Sequence, residues 1–206
     1  MTIVKIKENR LNRYFVAVAI FASANVMASP LGLHMGMNLE ELKKQGDFVP
    51  KQSPFFYSAK TIANGHSDFE TYTVILTPKQ GLCRIQANGK FVETSSFGTE
   101  LIRAQKSLVE DLSVKYGAPL DNHDFLRAGS SWKESKYWMM GLLKRERVLN
   151  TFWSTTGNKN LPDSVRSIAV DTLAHSGNRG SIQLTYEFNN FDACLEVIRA
   201  KKSSNL

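Results

Sequence analysis

The chain has 206 residues, with 26 Lys and Arg against 19 Asp and Glu, a net charge of +7 and two cysteines. That length suits one domain or two small packed halves. Its basic residues form no run of five or more like charges, so the stripe expected of a nucleic-acid binder is missing.

Residues 1–28 read as a cleavable secretory leader. Lys5, Lys7, Arg10 and Arg13 against Glu8 make a basic start, Phe15 to Phe21 is uninterrupted and apolar, and small residues follow. Cleavage fits after Ala28, ahead of Ser29-Pro30, with Ala24 as the other candidate. The fifteen residues from Tyr14 to Ala28 fall short of the roughly 20 that a membrane span needs. Without the leader, 22 basic residues face 18 acidic ones, a net charge of +4. Much of the basicity is therefore an export feature.

In the mature part, Leu31 to Met37 alternates large apolar residues with Gly or His and reads as a short strand. Asn38 is a good helix N-cap with Glu41 three residues on, and Met37 and Leu42 occupy the staple positions. The helix they start covers about 39–45 and ends at Gly46. Phe55 to Ile62 predicts a strand followed by an Asn64-Gly65 turn. Strands through Tyr72–Leu76 and Leu82–Ala87 flank a turn at Pro78–Gly81. Asn88-Gly89 then predicts a two-residue hairpin that sets Ile85 opposite Val92 and Arg84 opposite Glu93. In that register Cys83 shares the inward face of Ile85 and Ala87.

The clearest helix spans about 99–116, where Leu101, Ile102, Leu108, Val109 and Leu112 form an apolar stripe that Gly117 and Pro119 end. Asp121-Asn-His-Asp124 reads as turn residues. A second helix is expected over about 134–145, with Lys144-Arg145 at its end. Ile168–Thr172 and Ile182–Phe188 predict two strands, the first alternating with Ala169 and Asp171 and the second with Gln183, Thr185 and Glu187 toward water. Phe191 to Ala200 predicts a last helix that carries Cys194 and Ile198 on its apolar side, and residues 201–206 read as a flexible tail. The sum is an α+β domain over 29–200, an antiparallel sheet with helices packed on one face. Its order of helix then strands recurs in halves 29–97 and 98–200.

Candidate chemistry is sparse. Ser130-Ser131-Trp132-Lys133 matches S-x-x-K, without the companion elements of penicillin-recognising enzymes. His123 stands alone, as do His34, His66 and His175, and no close-spaced set of His and Cys ligands suggests a metal. No G-x-S-x-G elbow is present. Trp132, Tyr137 and Trp138 are either core or aromatic anchors for a partner. In an oxidising compartment Cys83 and Cys194 can bridge, closing a loop of about 110 residues worth about 4–5 kcal/mol.

Leu31-Gly-Leu-His-Met-Gly-Met-Asn-Leu-Glu-Glu-Leu-Lys-Lys-Gln-Gly46 resembles the opening of the small outer-membrane lipoprotein A family of the barrel-assembly machine. It is similar too to the repeat of secreted β-lactamase inhibitor proteins. Lys115-Tyr-Gly-Ala-Pro119 looks like such a helix exit in a second unit. The sequence departs from them in having Asn38 for threonine, no proline near Gly46 and no lipidation cysteine after the leader. The resemblance implies a helix-on-sheet fold that binds other proteins, and transfers no individual residue. These features favour a soluble periplasmic protein-binding module: an inhibitor, immunity-type protein or envelope accessory. Its partner would be another exported or envelope protein, with no cofactor, no nucleic acid and no membrane span once the leader is gone. Rival readings are a hydrolase drawing on Ser130, Ser131, Lys133 and His123, or a carrier of lipids or small molecules.

Overall fold

The computed structural model describes residues 29–157, 161–162 and 164–204, so the expected leader and the end of the expected tail lie outside the described residues. Helix α1 spans Leu39–Gln45. Asn38 Oδ1 accepts the Glu41 N–H at 3.0 Å and Glu41 Oε2 accepts the Asn38 N–H at 2.9 Å, which completes the capping box. The segment before it is not the expected strand. Left-handed backbone at Leu31, Gly32 and Gly36 breaks any extended run, and a 3₁₀ turn occupies Pro30–Gly32. Gly36 and Met37 instead exchange backbone hydrogen bonds with Leu82, each 2.9 Å long.

Strands β1 (Val49–Pro50), β2 (Phe56–Ala59), β3 (Phe69–Thr77), β4 (Gly81–Gly89) and β5 (Val92–Glu93) follow. Helix α2 (Thr99–Tyr116) leads to β6 (Asp121–Leu126), α3 (Trp138–Leu143), β7 (Arg147–Ser154), β8 (Val165–Ala174), β9 (Arg179–Phe188) and α4 (Phe191–Ser203). The last helix thus takes in Lys201–Ser203, which the sequence assigned to the tail. The expected helix over 134–145 shortens to α3, entered through a 3₁₀ turn at Ser135–Tyr137. The polar stretch read as a turn, Asp121–Asp124, is the start of an edge strand. Paired on one side only, it needs few apolar residues.

All nine strands belong to one sheet, ordered β1-β2-β3-β4-β9-β8-β7-β6, with β5 added along β9. Neighbouring strands all run antiparallel, for instance Ile85↔Tyr186 and Ile168↔Tyr186. The first helix leads into β1–β5 and the second into β6–β9, with α3 between β6 and β7, and β4 of the first set meets β9 of the second at the centre of the sheet.

The Asn88-Gly89 hairpin does not form. Both edges of β4 are occupied, by β3 and by β9, so Ile85 faces Val74 and Tyr186, while Arg84 faces Ile75 and Glu187. Val92 and Glu93 pair with Gly180 and Arg179 instead. Gly89 lies against the Ile182 backbone, an approach that a side chain would block. Long-range pairing has displaced a strong local turn signal.

One face of the sheet carries the main core, into which α1, α2 and α3 insert Leu42, Leu101, Leu112, Trp138 and Met139 against Val74, Ile85, Ile168, Tyr186 and Trp153. Fully buried Trp153 donates its indole N–H to the Gly117 carbonyl at 2.9 Å. Gln105 of α2 donates to Thr151 Oγ1 at 2.9 Å, and Thr151 donates on to Asn122 at 2.9 Å, so this buried polar chain is satisfied. The fourth helix sits on the other face, where Phe191 and Cys194 pack with Ile75 and Cys83.

Cys83 reaches that face through a β-bulge. Ile75 pairs with Arg84 but Leu76 pairs with Leu82, leaving Cys83 as the extra residue of β4. The bulge resets the alternation, so Cys83 does not share the side of Ile85 and Ala87. It forms a disulfide with Cys194 across 111 residues of sequence, and no free cysteine remains. Asn190, just before α4, adds donors to the Gln80 and Leu82 carbonyls at 2.9 and 3.1 Å.

Candidate functional site

The face of the sheet opposite the main core is only partly covered. α4 lies over β3 and β4, and among the described residues no helix covers that side of β9, β8, β7 and β6. Alternation fixes which side chains stand there: Gln183, Thr185 and Glu187 from β9, Ser167, Ala169 and Asp171 from β8, and Asn150 and Phe152 from β7. His123 and Phe125 extend this face onto β6, in edge-to-face contact with ring centres 6.2 Å apart. Both are exposed.

Side-chain size shapes the surface. Small Ser167, Ala169 and Thr185 occupy the middle, while Phe152, Arg84, Glu187, Asn150 and Asp171 stand around them. The result is a hollow of about 290 Å³. Its rim is pre-organised by polar contacts. Arg166 bonds Glu187 through Nη2 at 3.1 Å and Asp192 of α4 through Nη1 at 2.7 Å. That pairing with two carboxylates raises the Arg166 pKa against the opposing effect of burial. Arg84 and Arg166 also cover the Phe191 ring, 5.8 and 5.1 Å from its centre. Asn150 donates to Asp171 across the strands. Gln86 and Gln183 both donate to Asn88 Oδ1, at 3.0 and 3.1 Å, so a polar ladder crosses β4 and β9. Two buried groups of the hollow, Thr185 Oγ1 and Arg84 Nε, have no hydrogen-bond partner among the described residues.

The aromatic cluster singled out from the sequence divides. Trp138 is buried in the main core beneath α2, packed against Gly98. It is therefore not placed to meet a partner at the surface. Trp132 and Tyr137 are half-buried and meet edge to face at 5.6 Å, with Lys136 Nζ 4.9 Å from the Tyr137 ring centre.

Of the residues considered for hydrolysis, Ser130 is buried and its Oγ accepts the Trp132 N–H at 3.1 Å, which braces the loop before α3. Ser131 and Lys133 are exposed on that loop, and His123 stands on β6. Among the described residues no group of three or more His, Cys, Asp or Glu side chains is placed to hold a metal ion. Nor is any helix among them long and apolar enough to cross a membrane.

The alternation of the sequence already showed the outer sides of β9 and β8, but not that of β7. Asn150 and Phe152 lie on β7, a strand hidden within a tryptophan-rich stretch, and strand partners more than 20 residues apart leave no local trace. No protein-family model matches this chain, and neither a curated protein nor a solved structure does.

Proposed function

We propose that this chain is an exported protein-binding module of the bacterial periplasm, docking another exported or envelope protein on the open face of its sheet. The uncovered stretch across β9, β8, β7 and β6 carries the reading. A solvent-only face needs neither a hollow edged by Phe152 nor an exposed Phe125 farther out on β6, whereas protein interfaces combine aromatic anchors with a polar, hydrogen-bonded surround. The disulfide supports an oxidising compartment, where such bridges persist. The basic, apolar and small-residue order of residues 1–28 supports export.

The test is affinity capture from an envelope extract with three baits: the native chain, a Phe125→Ser/Phe152→Asp variant of the open face, and a Val114→Asp variant of the opposite layer. Val114 is 90% exposed on α2. Docking on the open face predicts one envelope protein retained by the native chain and by Val114→Asp, and lost with the double variant. Equal retention by all three baits, or none by any, contradicts it.

A further inference from the structure

β7 and β8 part before they end. Their pairing stops at Asn150↔Asp171, although Arg147–Leu149 still pairs with β6 and Thr172–Ala174 with β9. The sheet forks there and leaves a half-open cavity of about 390 Å³, within the range of small-ligand sites. Three arginines line it, the exposed Arg127 and Arg145 and the half-buried Arg147, against one acidic residue, Asp171, already held by Asn150. Leu142 and Leu143 of α3 and Leu149 of β7 supply apolar wall.

Two features mark this cavity as more than a packing defect. Arg147 Nε and Thr172 Oγ1, on two of its lining residues, are buried and have no hydrogen-bond partner among the described residues, although Arg147 Nη1 is anchored to Asp124 at 2.7 Å. Buried donors of this kind are rare because leaving them unpaired is costly, and an incoming acceptor relieves that cost. Arg145 has a left-handed backbone with φ 58°. Glycine or asparagine fits that conformation at lower cost, and a charged residue retained in a disfavoured conformation points to a role for its side chain.

We infer that the fork binds a carboxylate carried on an apolar body, with the guanidinium groups and Thr172 receiving its oxygens and the leucines its aliphatic part. Guanidinium forks match the planar two-oxygen geometry of a carboxylate, and the leucine wall disfavours a fully hydrated inorganic anion. Two sources share this chemistry: a free fatty acid, and the C-terminal residue of a polypeptide.

Titration of the purified protein at low salt, followed by calorimetry, distinguishes them. The probes are octanoate, a short peptide ending in leucine with a free carboxylate, the same peptide amidated, octanol and inorganic phosphate. Binding of octanoate or of the free-acid peptide, with the amide and octanol silent, is expected; whichever acid binds names the source. Arg127→Gln and Arg145→Asn should each weaken binding about tenfold or more, the scale of losing one charge-assisted contact. Arg145→Asn should also raise the Tm of the ligand-free protein by about 2–4 °C, because it relieves the backbone. Equal binding of amide and acid, binding of phosphate alone, or full affinity in both variants overturns the assignment. Absence of binding by every probe does so as well.

Discussion

Opening the disulfide is the perturbation whose size follows most directly from the chain. Cys83 and Cys194 are fully buried and 111 residues apart, and they tie α4 to the bulge of β4. In the chain-entropy treatment a loop of that length removes about 16 cal/mol/K from the unfolded ensemble, about 5 kcal/mol at 25 °C. α4 is also held by the small cluster of Ile75 and Phe191 with the flanking Phe56, Leu195 and Ile198, by Arg84 and Arg166 over the Phe191 ring, by the Asn190 bonds and by the Arg166–Asp192 pair. They survive reduction. Cys83→Ala, Cys194→Ala and the double variant should therefore all lose about 3–5 kcal/mol in urea unfolding. The singles should cost nearly as much as the double, because either one opens the same loop. The urea m-value should rise as the unfolded chain expands. A loss under about 1 kcal/mol, or singles that add up to the double, would refute loop closure as the source of the stability.

Three further outcomes are expected. Gly98 adopts φ 73° at the start of α2, and a Cβ there would collide with the Trp138 indole, so Gly98→Ala should cost about 3 kcal/mol in chemical denaturation. Asn38→Ala removes one half of the capping box and should cost about 1 kcal/mol, read as a lower Tm, with Asn38→Asp close to neutral. Burial, with Tyr116 beside it, raises the Tyr186 phenol well above its ordinary value of 10.0. The folded state therefore holds that proton after the unfolded state releases it. Stability should be unaffected by this group below about pH 9 and fall as pH climbs past about 10, and Tyr186→Phe should reduce the fall in denaturation curves taken across that window.

Elements with a complete local signal were legible in the sequence. The Asn38 cap, the stripe of α2 ended by Gly117, and the strict alternation of β9 each needed only a few neighbouring residues. Where register decided the outcome, local signals misled. Asn88-Gly89 is a strong hairpin signal, yet β9 out-competes Val92–Glu93 for the edge of β4. One bulge at Cys83 shifted the period of two and moved the disulfide to the opposite face. The edge strand β6 read as a turn because its exposed residues are polar. Half of the open face was visible in Gln183, Thr185 and Glu187 of β9 with Ala169 and Asp171 of β8. The hollow depends on Phe152 and Arg84 arriving from other strands, and the fork on where β7 and β8 stop pairing.

Docking on the open face is tested most directly by site-specific photo-crosslinking in living cells, with a photoreactive phenylalanine placed at position 152 or, as control, at position 114. A single envelope protein joined covalently to the chain from position 152 and absent from position 114 is the predicted result. Adducts of the same proteins from both positions, or none from position 152 at native expression, would contradict it.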